Sequence, residues 1–456
     1  MAQSTLKVLQ VSSIAPAGET SPITLPFTYF DLLWLRLPPV ERLFFYPFPN
    51  PPSSFFHSIL PKLKHSLSLT LQHFLPLCGS ITWPSHSPFP LITYHPGNTI
   101  PFSFTESNAD FTLLSSLSPS PVDQRQHLIP HLTISHDHAS LLALQVTLFP
   151  NLGFCIGITT HHAALDGKSS TLFLKSWAFF CSHLDDDHNP SPSLSLPPRL
   201  TPFFDRSVIK DPLGLCEIYA NTWLSYGGAR NDRSLQVWES IKTTQGELVK
   251  GVFEFTPSQI KKLKQHAESK VGDKKVRLSS FSVACAYLLA SAVKVDRPKA
   301  NRVGFLFSVD CRPRLGVANL ENYFGNCVVT QAVVAKREEV LGDDGFIRGL
   351  EGISEALNEM EERGVLNGME NWMEKIQSLM EDRLFSVAGS PRFEVYEVDF
   401  GWGRPVKVDV TSIDKTGAFS LSESKNHSGG IEVGLALNKE QMEVFATVFA
   451  QGLDSL

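Results

Sequence analysis

The stretch Ile158-Thr159-Thr160-His161-His162-Ala163-Ala164-Leu165-Asp166-Gly167 decides how this chain is read. It joins an alternating apolar run to an amphipathic one and sets a titratable base at the junction. His162 and Asp166 stand in an H-x-x-x-D spacing closed by glycine. The bare pattern carries little weight. With 15 histidines in the chain, chance supplies about one such pair, and a motif counts only in its structural context. The chain holds its own control, because His183 and Asp187 share the spacing.

The surroundings separate the two. Leu141 to Phe149 reads as a strand, and Pro150-Asn151-Leu152-Gly153 carries turn chemistry. Phe154, Ile156 and Ile158 alternate with Cys155, Gly157 and Thr159, which is a second strand of period two. Beyond Asp166, residues Leu172, Phe173, Trp177 and Phe180 recur at helical spacing. His162 therefore sits where a buried hairpin hands over to a helix, a setting that holds a catalytic group rigidly. His183 lies beside Asp185-Asp186-Asp187 and a Pro/Ser-rich tract, which reads as solvated linker.

A chain of 456 residues exceeds one ordinary core, so two domains of about 200 residues are expected. The formal charge of −6 and pI near 6.2 leave no basic footprint, which argues against nucleic acid as a partner. Seven cysteines, odd in number and without a C-x-x-C, point to a reduced compartment and away from a disulfide frame or a metal site. Met1 to Thr20 lacks the apolar centre of a signal sequence, and no run of about 20 apolar residues would span a membrane. A cytoplasmic location is expected. The 32 phenylalanines concentrate early, in Phe27-Thr28-Tyr29-Phe30-Asp31 and Leu43-Phe44-Phe45-Tyr46-Pro47-Phe48, and read as core.

In chain order, Val8 to Ser13 is a strand and Leu60 to Phe74 a helix stopped by Pro76 and Gly79. Leu91 to Tyr94 is another strand. Asp185 to Pro212 holds acids, prolines and serines with little periodicity, and reads as a crossover linker running over the surface. It divides the chain into 1–184, 185–212 and 213–456. The second half opens with alternating Gly251 to Phe255. Thr256-Pro257-Ser258-Gln259 is a capping box with proline at the first helical position. After Ser279-Ser280, Phe281 to Val293 is apolar all round and predicts a buried helix. Val303 to Val309 is strand-like and ends in Asp310-Cys311-Arg312-Pro313-Arg314. Charged helices are expected over Phe346 to Arg363 and Glu370 to Arg383. Strands are expected over Val395 to Asp399, Val406 to Ile413 and Ile431 to Leu437, before a last helix capped by Asn438 and Gln441. Both halves are mixed α/β.

Three further stretches are recognisable: Leu67-Ser68-Leu69-Thr70-Leu71-Gln72-His73-Phe74-Leu75-Pro76-Leu77, Tyr323-Phe324-Gly325-Asn326-Cys327 and Asp399-Phe400-Gly401-Trp402-Gly403. Together with His162-Ala163-Ala164-Leu165-Asp166-Gly167, in this order, they resemble the plant BAHD acyl-CoA-dependent acyltransferases. The likeness runs from Phe30-Asp31 to the last helix, and D-F-G-W-G is far more specific than H-x-x-x-D. The Y-F-G-N-C stretch is similar to the branch that acylates glycosides of flavonoids, anthocyanins and simple phenols.

The resemblance implies an α/β fold of two similar domains, of the chloramphenicol acetyltransferase-like type, with the active-site channel between them. It implies an acyl-CoA as co-substrate, no permanently bound cofactor, a small-molecule glycoside as acceptor and a monomeric enzyme. The chemistry can be argued from the residues. An alcohol is a poor nucleophile at neutral pH, and an imidazole of pKa about 6.5 suits the removal of its proton. His162 is that base, and no serine or cysteine nucleophile stands near it with an orienting acid.

Asp166 reads at first as the third member of a triad. The resemblance implies instead that it pairs with an arginine, here Arg312. It makes Asp399, Gly401, Trp402 and Gly403 a structural loop supporting the site. Coenzyme phosphates call for counter-charges, for which Lys274, Lys275, Arg277 and Arg302 are candidates, with Ser280 beside them. His161 reads as a packing residue.

Donor choice turns on charge. A malonyl donor needs a cation for its carboxylate; a hydroxycinnamoyl donor needs an apolar slot. Flower-pigment malonyltransferases of this family place an arginine four residues after the motif aspartate, where this chain has Ser170, with Lys168 nearby. Ala388-Gly389-Ser390-Pro391-Arg392 stands where hydroxycinnamoyl-shikimate enzymes carry a tryptophan. The expected reaction is malonyl transfer from malonyl-CoA to a sugar hydroxyl, the 6-hydroxyl, of a phenolic or flavonoid glucoside, with Lys168 and Arg392 as carboxylate partners. The alternatives are coumaroyl transfer to such glucosides and a catalytically inactive member acting as a binding protein.

Overall fold

The hairpin expected around Asn151 forms the middle of a six-stranded sheet. In the computed structural model, which describes residues 5–185, 194–226, 233–238, 247–296, 300–380 and 382–456, Leu142–Phe149 and Gly153–Thr160 pair antiparallel along their whole length. Asn151 takes the left-handed turn position at φ 62°. Both strands are buried at every residue. The alternation in the sequence therefore marks two covered faces. Phe154, Ile156 and Ile158 enter the main core, while Cys155 joins Leu43, Phe45, Phe111, Leu128 and Phe149 in a smaller cluster behind it. Gly157 has no room for a side chain, since a Cβ would fall 2.2 Å from the Leu128 carbonyl oxygen.

The sheet order is Leu6–Ile14, Ile100–Ser107, Leu142–Phe149, Gly153–Thr160, Val40–Pro47 and Lys407–Val410. The last strand comes from the second half of the chain. A seven-stranded sheet orders Val328–Lys336, Arg302–Asp310, Arg383–Gly389, Phe419–Glu423, Ile431–Asn438, Leu248–Phe255 and Ser120–Pro121. Here the final, two-residue strand comes from the first half. Each half thus lends an edge strand to the other's sheet, and backbone hydrogen bonds tie the halves together. A four-stranded sheet of Ile23–Pro26, Leu91–Tyr94, Ser80–Thr82 and Ala139–Ser140 completes the β structure among the described residues.

Helices follow their caps. Asp166 is the N-cap of Gly167–Ser182, its carboxylate accepting from the Ser169 amide at 2.9 Å. Thr256 and Gln259 form the expected capping box of Pro257–Val271. Ser279 caps the buried helix Ser280–Val295, and Asn438 caps Lys439–Asp454.

Four expectations are corrected. Glu370 to Arg383 is not one helix but a short turn, Met369–Asn371, and a helix Trp372–Leu379. Arg383 begins the strand Arg383–Gly389, whose first residues pair in parallel with Val303 to Leu306. The stretch from Val395 is a 3-10 turn, Val395–Glu397, rather than a strand. Glu394 before it is left-handed, at φ 53°, and the Tyr396 amide donates to Glu423 across the fold instead of entering a ladder. The strand after Val406 is confined to Lys407–Val410, with a helical turn Ile413–Thr416 behind it. The crossover does not simply run over the surface. Residues 186–193 lie outside the described residues, but Leu196, Leu200, Arg206 and Ile209 are buried, because this segment supplies side chains to the core beneath it.

Candidate active site

Where the Gly153–Thr160 strand ends, the His161 amide makes one more ladder bond, to the Leu141 carbonyl at 3.0 Å. The chain then turns through His162 into the Asp166 cap. His161 is fully buried and its Nδ1 accepts from the Ala163 amide at 3.3 Å. Burial, with the neighbouring His162, pushes its imidazole down to about 3. It packs.

His162 is placed differently. Its imidazole lies flat against the Trp34 indole, with ring centroids 3.9 Å apart and planes 3° apart. Its carbonyl accepts from Asn326 Nδ2 at 2.9 Å. Four buried polar atoms here have no partner among the described residues: the Nδ1 of His162, the Oδ1 of Asn326, the Nε1 of Trp34 and the Nε2 of His161. Burial lowers the His162 imidazole to about 4; its own carbonyl, Asp166 and the Asn326 amide raise it, while Arg42 lowers it further. The ring is therefore neutral near pH 7, the form that accepts a proton.

The Asp166 carboxylate is fully engaged elsewhere. Arg312 grips it with both terminal nitrogens, Nη1 to Oδ2 at 2.8 Å and Nη2 to Oδ1 at 3.2 Å. The amides of Ser169 and Cys327 donate to it at 2.9 and 3.1 Å. Burial alone would raise its pKa; Arg312 and these amides more than offset that and hold it below the usual carboxylate range. Arg312 also donates to the Tyr323 and Gly325 carbonyls at 2.9 and 3.1 Å. The pair locks the end of the motif to the Tyr323–Cys327 stretch.

A second buried pair braces the same place. Asp31 accepts from Arg206 Nη1 at 3.0 Å, from Asn326 Nδ2 at 3.1 Å, and from the Thr28 amide and hydroxyl at 2.9 and 2.8 Å. Gly325 is packed onto Arg206, where a Cβ would fall 2.2 Å from Nη1. Sequence reasoning missed Trp34, Asp31, Arg206 and the individual role of Asn326. The local signals were present, since Phe27 to Asp31 and Tyr323 to Cys327 stand out in the sequence, but nothing in it joins them.

The Asp399 to Gly403 loop fastens the two halves. Asp399 Oδ1 accepts from the amides of Gly401 and Gly403 at 2.8 and 3.0 Å. Both glycines need positive φ, 101° and 99°. Phe400 meets Trp177 and Tyr46 edge-on at 4.9 and 5.8 Å, and Trp402 meets Phe154 at 6.1 Å.

The candidate binding cations are more dispersed. Lys168 pairs with Asp310 at 3.3 Å and is half exposed. With Arg392, which is exposed, it lines an open groove along the motif helix together with Leu172, Lys175, Phe179 and Phe393. Lys274 pairs with Glu351 at 2.5 Å, and Lys275 is exposed beside it. Both precede Ser280 at the start of its helix. Arg277 is taken up by Glu361 and Asn358. Arg302 pairs with Asp382 at 3.3 Å, at the far end of a strand from Asp310, roughly 26 Å away at the usual rise per residue. The control histidine, His183, closes the motif helix with its Nδ1 on the Phe179 carbonyl at 2.8 Å; Asp187 lies outside the described residues.

Residues 5–451 match the model of the Transferase family. The chain is 38% identical to phenolic glucoside malonyltransferase 1 of Arabidopsis thaliana over 480 residues, covering 99% of both. It is 38% identical to malonyl-CoA:anthocyanidin 5-O-glucoside-6''-O-malonyltransferase of the same organism, again over 99% of both. Among solved structures, vinorine synthase superposes with a TM-score of 0.68 at 19% identity, covering 96% of each chain. The fold is the two-domain α/β fold of coenzyme A-dependent acyltransferases.

Proposed function

This chain belongs to the Transferase family, the BAHD acyltransferases, and from that premise we propose that it moves a malonyl group from malonyl-CoA to the 6-hydroxyl of the sugar of a phenolic or flavonoid glucoside. It is an acyltransferase, and its co-substrate is an acyl-CoA. The full-length similarity to two glucoside malonyltransferases carries the choice of donor and acceptor class.

The mechanism follows from the chemistry of His162. The neutral imidazole takes the proton of the acceptor hydroxyl as its oxygen attacks the thioester carbonyl. A tetrahedral intermediate forms and collapses with cleavage of the carbon–sulfur bond. The imidazolium returns the proton to the departing thiolate, giving the malonyl ester and free coenzyme A. No acyl-enzyme is required. An acceptor for Nδ1–H would fix the tautomer, and the Asn326 oxygen can accept that proton, leaving the unprotonated Nε2 for substrate. Asp166, Arg312 and the Asp399, Gly401, Trp402 and Gly403 loop hold the motif in place.

Lys274, Lys275, Ser280 and Arg302 are the proposed contacts of the coenzyme phosphates; Lys274 and Arg302 would exchange their carboxylate partners for phosphate. The two domains divide at the crossover, 1–184 and 213–456. The enzyme acts as a monomer in the cytoplasm. Among the described residues no helix is long and apolar enough to cross a membrane.

The test is a matrix of malonyl-, coumaroyl- and acetyl-CoA against phenolic and flavonoid glucosides, read by thiol release and by the mass and NMR of the ester. Malonylation at the sugar 6-position is expected. Preference for coumaroyl-CoA would replace the donor reading by its alternative, and the absence of thiol release with every donor would make the chain a binding protein.

A further inference from the structure

One cation close to His162 has no carboxylate within ion-pair distance among the described residues. Arg42 stands on the Val40–Pro47 strand, between Ile158 and Val410 on the neighbouring strands, and is 5% exposed. Its Nη1 donates to Thr171 Oγ1 at 3.0 Å and its Nη2 to the Gly167 carbonyl at 3.4 Å. The Phe393 ring lies beside it, with its centroid 6.0 Å from the guanidinium carbon. Of the nearby acids, Asp166 is held by Arg312, and Glu423 has one oxygen on the Tyr396 amide and the other without a partner among the described residues.

A guanidinium carries five N–H donors, and two neutral oxygens leave most of that capacity unused. A buried charge without a counter-ion is costly. A small, partly open cavity of about 20 Å³ adjoins Arg42, lined also by Gly389, Phe393, Val410 and Leu421, with room for about one water. Asp409 and Glu432 line it too, but Asp409 is held by Arg125 at 2.8 Å and Lys250 at 3.1 Å, and Glu432 accepts from the Tyr396 hydroxyl at 2.9 Å. Arg42 is also near enough to His162 for its charge to disfavour the imidazolium.

We infer that Arg42 anchors the acyl donor by its free carboxylate, through a paired N–H contact from the guanidinium beside the reacting thioester. The inference rests on the malonyl reading of the donor. In a malonyl thioester the carboxylate carbon lies two bonds beyond the reacting carbonyl, so a cation buried next to the base is the kind that can meet it. Lys168, paired with Asp310, and Arg392, on the exposed groove wall, do not offer a buried unpaired charge. A neutral acetyl group leaves Arg42 unmatched.

The test is calorimetric, on the full chain with malonyl-CoA and acetyl-CoA as probes and no acceptor present. Wild type is expected to bind malonyl-CoA more tightly than acetyl-CoA. Arg42→Gln should shrink that preference by about 10- to 150-fold, the span of a charged hydrogen bond. Arg42→Lys keeps the charge but loses the planar fork, and should fall between. Thermal melting checks that each variant is folded; if Arg42→Gln is not, Arg42→Lys decides. Equal Kd values in wild type, or a preference that the folded variant retains in full, would overturn the assignment. The donor reading is decided separately by the ester formed in the donor matrix, so the two can fail independently.

Discussion

The Trp34 indole and the His162 imidazole are stacked in parallel, 3.9 Å between centroids. The contact keeps water from one face of the base and fixes the plane in which its lone pair points. Burial accordingly holds the imidazole near 4, below the ordinary 6.5. Below its pKa the base is protonated and idle, so the acidic limb of kcat/KM should lie well under pH 6 in the wild type. Trp34→Ala admits water and should move that limb upward, toward 6.5, with a lower kcat. Coincident pH profiles for the two proteins would remove the indole from any role in tuning the base.

Removing the base itself is the direct test of the mechanism. His162→Ala should lower kcat by at least ~10²-fold, as loss of a general base does, in a protein that still melts cooperatively. His183→Ala should match wild type, because that ring only closes the motif helix on the Phe179 carbonyl. Near-normal turnover in His162→Ala would end the assignment.

Asp166 and Arg312 should behave as one unit. Each is buried, at 4% and 3% exposure, so removing either leaves the other as an uncompensated charge, at a cost of roughly 3–5 kcal/mol. Asp166→Asn and Arg312→Met should each lower stability to denaturant, and the double variant should lose less than the sum. Strictly additive losses would contradict the paired geometry.

How much of this was legible beforehand depends on the range of the interactions. The hairpin, the motif helix and the Thr256 capping box are local, and their periodicity and caps could be read directly. Asp166–Arg312 was reachable only through resemblance. Trp34 against His162, and Asp31 against Arg206 and Asn326, join segments up to 295 residues apart, and no local pattern encodes such a meeting. The same blindness explains Lys407–Val410, which looks like a longer strand of its own half but ends as an edge of the other half's sheet. It also explains Arg42. In the sequence Arg42 is one charge before an aromatic run; only the packed structure shows that, among the described residues, no carboxylate comes within ion-pair distance of it.

Asn326 supplies the last test, because it touches both the base and the brace behind it. Its Nδ2 donates to the His162 carbonyl at 2.9 Å and to Asp31 at 3.1 Å, and its amide raises the imidazole pKa. Asn326→Ala removes that support, so the His162 pKa should fall slightly and kcat should drop by about tenfold, from lost orientation rather than lost substrate affinity. Asn326→Asp sets a negative charge beside the ring, which favours the imidazolium and should move the acidic limb of kcat/KM upward. The two variants therefore shift the limb in opposite directions while both lower kcat. A common profile for wild type, Asn326→Ala and Asn326→Asp would leave Asn326 as packing alone and return the orientation of His162 to Trp34.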